Sequence, residues 1–330
     1  MNRSKYILLL GLILVILLFP TRLMAKGKAS AHDRTQVYSH IGAYAGAGYS
    51  SLLHTIPNTN VLGGGFGTIG VRYQMSTIKQ RFTFSVGLET MFLNSTSTLG
   101  DFDIHGLYDY KDPMGNSTQM DYQLAFSQYR EQHHQWSIDM PILFGKDFKY
   151  SYFSLGVNLR YTLWGGYNTN TLLSISATDP ELIDKLENIP THNISSQLVD
   201  SHGKIAYGLD IMGMAEVGIT LDRLIMHFNR DLEFRSSRIP KNISYRLGVF
   251  AAFGALSINA NTCDKALVNF DNAKQNGNNI VVPEKDLFHI ANASIFTTPS
   301  AADKAVNALT VGVKFIVLLQ LNQICRTCTY

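Results

Sequence analysis

The sequence predicts an all-β fold: an eight-stranded antiparallel up-and-down transmembrane β-barrel with long extracellular loops. Three observations carry that expectation. Only 16% of the 330 residues are charged while 45% are hydrophobic, against about 25% charged in an average soluble domain. The surface is therefore short of solvating groups. Beyond residue 25 the apolar residues recur with period two, not in runs of about 20, as in strands whose two faces meet different environments. Connections alternate between short and long, as outer-membrane barrels require.

Residues 1–25 read as a secretory signal peptide. Arg3 and Lys5 form a basic start, Ile7 to Phe19 is apolar, Pro20 breaks the stretch, and Ala25 offers a small residue for cleavage. The apolar stretch is too short for a membrane helix. Removing Arg3, Lys5 and Arg22 from the 28 basic residues leaves 25, equal to the 25 acidic ones, so the +3 charge belongs to the leader. A neutral chain carries no nucleic-acid footprint. Three cysteines exclude a disulfide-built scaffold.

The remaining chain, 26–330, is expected to form one barrel with strands at about 40–50, 63–75, 81–93, 134–146, 151–165, 205–221, 243–257 and 308–321. Each is about as long as a transmembrane strand. The clearest sets Phe153, Leu155, Val157, Leu159, Tyr161 and Leu163 outward. It sets Ser154, Gly156, Asn158, Arg160, Thr162 and Trp164 inward. The last repeats this with Val311, Val313, Phe315, Val317 and Leu319 against Thr310, Gly312, Lys314 and Ile316. Segments 76–80 and 147–150 are short turns, 51–62 is an intermediate loop, and 94–133, 166–204 and 258–306 are long outer loops. The exception is 222–242, long for a periplasmic turn and basic through Arg223, Arg230, Arg235, Arg238 and Lys241; it reads as a short helix or an extension of the strands. Aromatics fall at the strand ends as interfacial girdles: Tyr73, Phe82, Phe144, Phe153 and Tyr245 at one rim, Tyr49, Phe92, Trp136, Tyr161 and Tyr207 at the other.

With the apolar face in lipid, the lumen receives Arg72, Glu89, Asp139, Arg160, Asp210, Glu216, Arg246 and Lys314. Eight strands enclose a space that side chains fill, and a desolvated charge must be paired. Four acids against four bases therefore point to an ion-pair plug, with a narrow gated pore as the functional alternative. Selective porins need wider barrels.

Other motifs are weaker. Cys325 and Cys328 form a C-x-x-C without a thioredoxin-like setting or further zinc ligands, and Cys263 lies alone in the last outer loop. Asp101, Asp103, His105 and Gly106, with Asp109 and Asp112 following, partly match a calcium loop, but His105 replaces an oxygen ligand and flanking helices are lacking. Tyr108, Tyr110, Tyr122 and Tyr129 nearby read as a contact surface or as packing. His133 and His134 at the outer rim suggest a catalytic dyad only if Asp121, Asp200 or Ser201 joins them, and no spacing selects these. Asp179-Pro180 looks like the capped start of a helix in the third outer loop.

Several stretches taken together resemble the outer-membrane β-barrel domain of Bacteroidetes, the group that includes PorT-like proteins. Gly42-Ala-Tyr-Ala-Gly-Ala-Gly-Tyr49 resembles its first strand and Gly64-Gly-Phe-Gly-Thr-Ile-Gly-Val-Arg-Tyr73 its second. Ser137-Ile-Asp-Met-Pro141-Ile-Leu-Phe is similar to its apolar-x-x-Pro strand, followed after a short turn by Tyr152-Phe-Ser-Leu-Gly-Val-Asn. Val311-Gly-Val-Lys-Phe315 resembles the closing strand. The resemblance covers most strands and little of the loops, and it implies an accessory role in secretion or envelope assembly.

The expected function is a non-catalytic, membrane-anchored platform in a Gram-negative outer membrane, monomeric and without metal or cofactor. Its expected partners are membrane lipid, lipopolysaccharide and envelope or secretion proteins, not nucleic acid. The secretion role and the gated channel stand as alternatives.

Overall fold

In a computed structural model, alternation of apolar and polar residues resolves into strands that pair almost without interruption. The structure describes residues 37–77, 81–111, 117–177, 194–228, 242–256, 266–270, 274–276, 279–283, 290–302 and 306–321. The signal-peptide reading, the Asp179-Pro180 helix, Asp112, Cys263, Cys325 and Cys328 lie outside them. Strands are β1 (Val37–His54), β2 (Thr59–Thr77), β3 (Phe82–Leu99), β4 (Phe102–Lys111), β5 (Ser117–Asp147), β6 (Ser151–Ala177), β7 (Ile194–Lys204), β8 (Leu209–Thr220) and β9 (Ile243–Leu256). Short strands β10 (Val268–Phe270), β11 (Lys274–Asn276), β12 (Asn279–Pro283) and β13 (Ile290–Asn292) precede the closing strand β14 (Val306–Gln320). Helix α1 (Leu221–Phe228) follows β8.

Eight strands close a ring in the order β1-β2-β3-β5-β6-β8-β9-β14, with β14 returning to β1. The ladder that closes the ring is antiparallel, with β1 in register with β14 from His40↔Gln320 to His54↔Val306. The ring is a transmembrane β-barrel: Ile69, Val71, Leu88, Leu155, Ile211, Val217, Val249, Phe253, Val313 and Phe315 stand exposed on its outer wall. No helix among the described residues is long and apolar enough to cross a membrane. The belt ends on aromatics, with Trp136 and Trp164 side by side in the β5–β6 ladder at one rim and Phe82, Phe144 and Phe153 exposed at the other. Trp136 and Phe144 are eight residues apart, about 26 Å of strand at ~3.3 Å per residue.

The strands do not stop at the aromatic rim. β5 has 31 residues and β6 has 27, far beyond the roughly 9–11 a membrane needs. They pair up to Tyr122↔Ala177. β4 adds to the free edge of β5, β7 to that of β6, and β12 runs parallel to β4. Segments 94–133 and 166–204, expected as loops, are therefore mostly sheet, and 51–62 is a hairpin whose strands reach His54 and resume at Thr59.

Above the belt the faces invert. Tyr122, Leu124, Phe126, Leu173 and Ile175 are buried inside, while Asp121, Asn168 and Asn170 are exposed. Two bulges keep each inward set inward. Gln128 adopts a positive φ of 54° at a register shift between Ser127 and Arg130, so inward residues change from even numbers to Tyr129, Glu131 and His133. On β6 the shift at Trp136/Ser137 leaves Leu163 and Trp164 both exposed. An extra residue changes which face every later side chain takes. Trp164, expected inward, is thereby turned outward, and Tyr207, expected in the outer girdle, packs against the inner core because the chain bends between β7 and β8.

Glycines make room for aromatics inside. A Cβ on Gly70 would lie 2.8 Å from Tyr44 Cζ, and one on Gly87 2.9 Å from Pro141 Cγ and 3.0 Å from Tyr44 Oη. Gly87 thus accommodates the proline of β5, opposite which the ladder to β3 is interrupted between Val86↔Ile142 and Glu89↔Asp139.

Candidate functional site

The lumen is the place where the sequence puts chemistry that lipid cannot tolerate. Register sets Glu89, Asp139, Arg160 and Asp210 in one row around the wall, since Glu89 faces Asp139, Asp139 faces Arg160, and Arg160 faces Asp210 across successive ladders. Arg160 Nε donates to both Asp139 oxygens at 3.2 and 2.9 Å, while Ser137 and Asn158 donate to the same carboxylate at 2.6 and 2.7 Å. Asp210 is buried beside Arg160 in register.

The other pairs cross the interior. Arg72 on β2 donates a bidentate pair to Glu216 on β8 at 2.8 and 2.6 Å, and these strands are diametrically opposed in the ring. Lys314 on β14 reaches Glu89 on β3 at 2.8 Å. Arg246 on β9 grips Asp147 on β5 at 3.2 and 2.8 Å and Gln74 at 3.4 Å. Asp147, expected in the short turn, is the final residue of β5 and turns inward. Aromatic rings sheathe the cations: Tyr44 lies 5.3 Å from Arg72 and 4.8 Å from Lys314, Phe250 lies 4.2 Å from Lys314, and Tyr152 lies 5.0 Å from Arg246. Bidentate, desolvated pairs of this kind hold geometry firmly. Spanning opposed strands, they obstruct a channel along the axis.

A second cluster closes the mouth above the belt, built around a residue the sequence did not flag. Glu131 is fully buried and accepts hydrogen bonds from the Ile295 N–H at 2.9 Å, the Tyr129 hydroxyl at 3.1 Å and the Ser294 hydroxyl. Ser294 caps a 3-10 turn at Ile295–Thr297. That turn carries Phe296 between His133, stacked at 4.3 Å, and His54, edge-on at 5.1 Å. Burial raises the Glu131 carboxyl to about 7 against the lowering effect of its three donors. Desolvation holds His133 down to about 3. Its Nε2 lies 3.3 Å from Glu131 Oε1, but a neutral ring makes no ion pair there. Segment 290–302 thus stoppers the mouth. Its clearest sequence signal is the apolar pair Ile295-Phe296, too short to mark an element.

Other sequence candidates are not assembled. His133 and His134 are neighbours on a strand and face opposite sides: His133 is buried inside, while His134 bonds Asn94 at 2.6 Å and Asn168 at 3.3 Å outside. Of the residues that might have joined them, Asp200 is exposed on β7, Asp121 lies 4.0 Å from His105, and Ser201 accepts from the Asn292 N–H at 2.9 Å. The calcium-like motif lies largely in extended β4, where an exposed strand cannot wrap a cation. Asp103 instead accepts from Gln123 at 2.7 Å and Asp101 from the Gln128 N–H at 3.3 Å. Among the described residues no group of three or more His, Cys, Asp or Glu forms a metal cluster. Tyr122 and Tyr129 are buried packing residues. The basic 222–242 turn begins as α1, and residues 229–241 lie outside the described chain.

No family model matches the chain, and no curated protein matches it. Among solved structures it is similar to Ail of Yersinia pestis, solved with the heparin analogue sucrose octasulfate, at 6% identity and TM-score 0.22 over 84% of this chain and 98% of that one. It is also similar to Neisserial surface protein A, at 9% identity and TM-score 0.23 over 84% and 96%. A third is the outer membrane protease OmpT of Escherichia coli, at 8% identity and TM-score 0.23 over 89% and 99%. At these scores the likeness adds nothing to the closed strand ring on which the fold rests.

Proposed function

We propose that the protein is a non-catalytic, monomeric barrel of a Gram-negative outer membrane that presents its protruding sheet as an interaction platform. The observation that supports this most is the combination of an occluded interior with strands that continue far past the lipid belt. Arg72–Glu216 crosses the lumen between opposed strands, and Phe296 fills the mouth above it. What the chain offers is the exposed sheet of β4, β5, β6 and β7. The short-turn end faces the periplasm on this reading and the extension faces outward, toward lipopolysaccharide and surface proteins.

The test replaces residues 100–128 and 168–202 with short turns. The shortened barrel is expected to keep its heat-modifiable gel migration and to lose the crosslinked surface partners captured by the full chain. Planar bilayers holding the full chain are expected to stay at background conductance. Steady conductance, or partner capture indifferent to the extension, would contradict the proposal.

A further inference from the structure

The lipid-facing wall ends, at the short-turn rim, on a band of exposed cations. Arg81, just before β3, Lys146 near the end of β5, Lys149 in the β5–β6 turn and Arg223 on α1 are all exposed. Hydrogen bonds join their segments into one continuous rim. The Asp147 N–H donates to the Arg81 carbonyl at 2.9 Å, the Thr220 N–H to the Tyr150 carbonyl at 2.8 Å, and the Arg223 guanidinium to the Phe148 carbonyl at 3.3 Å. Apolar side chains stand exposed among them: Phe82, Phe144, Phe148 and Ile225. Lys146 Nζ lies 5.6 Å from the Phe82 ring centre and Lys149 Nζ 4.9 Å from that of Tyr150.

The acids described at this end are already engaged. Asp147 is gripped by Arg246, and Asp222 accepts from the Ser244 hydroxyl and the Tyr245 N–H, both at 3.0 Å. Among the described residues the opposite end has the reverse balance, with exposed Asp101, Asp103, Asp121 and Asp200 against Arg130 and Lys204. Exposed charge among the described residues is therefore segregated along the barrel axis.

We infer that the rim formed by Arg81, Lys146, Lys149 and Arg223 binds the headgroups of anionic phospholipids in the leaflet at the short-turn end. Apolar side chains at the same level continue the lipid-facing wall, so the ligand that meets these cations has acyl chains below its charge. Guanidinium and ammonium groups donate to phosphate oxygens, and the aromatic rings fill the interface between headgroup and chain. That this leaflet is the periplasmic one rests on the proposed function; the lipid preference itself does not. Each cation near an anionic lipid surface contributes about 1 kcal/mol, so each charge removed is expected to weaken attachment about fivefold.

The experiment is native mass spectrometry of the purified full chain in detergent with equal amounts of phosphatidylglycerol and phosphatidylcholine. Heat-modifiable migration checks folding of every sample. The unaltered protein is expected to retain phosphatidylglycerol several-fold over phosphatidylcholine. Substituting Arg81→Gln, Lys146→Gln, Lys149→Gln and Arg223→Gln together is expected to abolish the preference, and Arg130→Gln with Lys204→Gln to leave it intact. Equal retention by the unaltered protein overturns the inference, as does a preference that survives the fourfold substitution. Crosslinking of Lys146 and Lys149 to an acidic periplasmic protein, with no lipid preference, would assign the rim to that protein instead and equally overturn it. The barrel and platform reading would survive each of these failures, since folding and partner capture are measured separately.

Discussion

Strands β5 and β6 run through two regions that obey opposite rules. Between Phe144 and Trp136 the wall is apolar outside and its interior holds Asp139 and Arg160; beyond Trp136 the interior holds Phe126, Leu124 and Tyr122 and the outside is polar. The same two strands thus pass from an inverted barrel into an ordinary water-facing sheet. What changes is the solvent on the outside, and the interior follows. Where lipid covers the wall, apolar residues can face outward, and the narrow lumen holds charges that satisfy one another among Tyr44, Tyr152 and Phe250. Where water covers it, the hydrophobic effect returns apolar side chains to the interior.

The largest effects test the lower region. Glu216→Ala leaves Arg72 buried without its carboxylate, which costs about 3–5 kcal/mol. Urea unfolding in vesicles, followed by loss of the heat-modifiable band, is expected to show that loss. Replacing the pair together with Arg72→Met and Glu216→Leu is expected to recover most of it, because two apolar groups leave no orphaned charge.

A matched pair of substitutions sharpens the boundary. Ile211 is 63% exposed in the middle of the belt and Leu198 is 55% exposed on β7 of the extension, so a soluble protein would tolerate lysine equally at both. In register Ile211 faces Leu159, which faces Met140, halfway between Trp136 and Phe144. Ile211→Lys is expected to cost about 2–4 kcal/mol, as at a bilayer midplane. Leu198→Lys is expected to change stability by no more than about 0.5 kcal/mol. Equal costs would remove the lipid from the account.

The smallest effect is the pH response of the mouth. The folded Glu131 carboxyl is raised from 4.5 to about 7, so its contribution is fully present below pH 4.5 and is lost as pH rises through 7. At ~1.4 kcal/mol per unit the upper bound is about 3 kcal/mol. Amide hydrogen exchange of segment 290–302, corrected for intrinsic rates, is expected to rise between pH 5 and 8, and Glu131→Gln to flatten that rise.

The two regions also differ in how far they were legible in sequence. The belt was readable because lipid imposes an unbroken period of two: Phe153, Leu155 and Val157 outside fixed the parity that put Arg160 inside. Seven of the eight lumen charges read from that parity lie in cross-strand or cross-lumen ion pairs, and the eighth, Asp210, is buried in register with Arg160. The extension was not readable as sheet. Its parity breaks at Gln128 and again at Leu163–Trp164, and a mixed polar and aromatic strand with a bulge looks like a loop. Glu131 meets the Ile295 N–H across 164 residues of chain, through a stopper with no periodicity at all, so nothing local announced it.

The account's central claim is that lipid begins where Trp136 and Trp164 stand paired on the outer wall, and these are the chain's two tryptophans. Their native fluorescence in vesicles carrying lipids brominated either shallow or deep along the acyl chain tests it most directly. The account predicts blue-shifted emission, strong quenching by the shallow bromines, weaker quenching by the deep ones, and little access for aqueous iodide. Water-like emission quenched by iodide and indifferent to both lipids would contradict it.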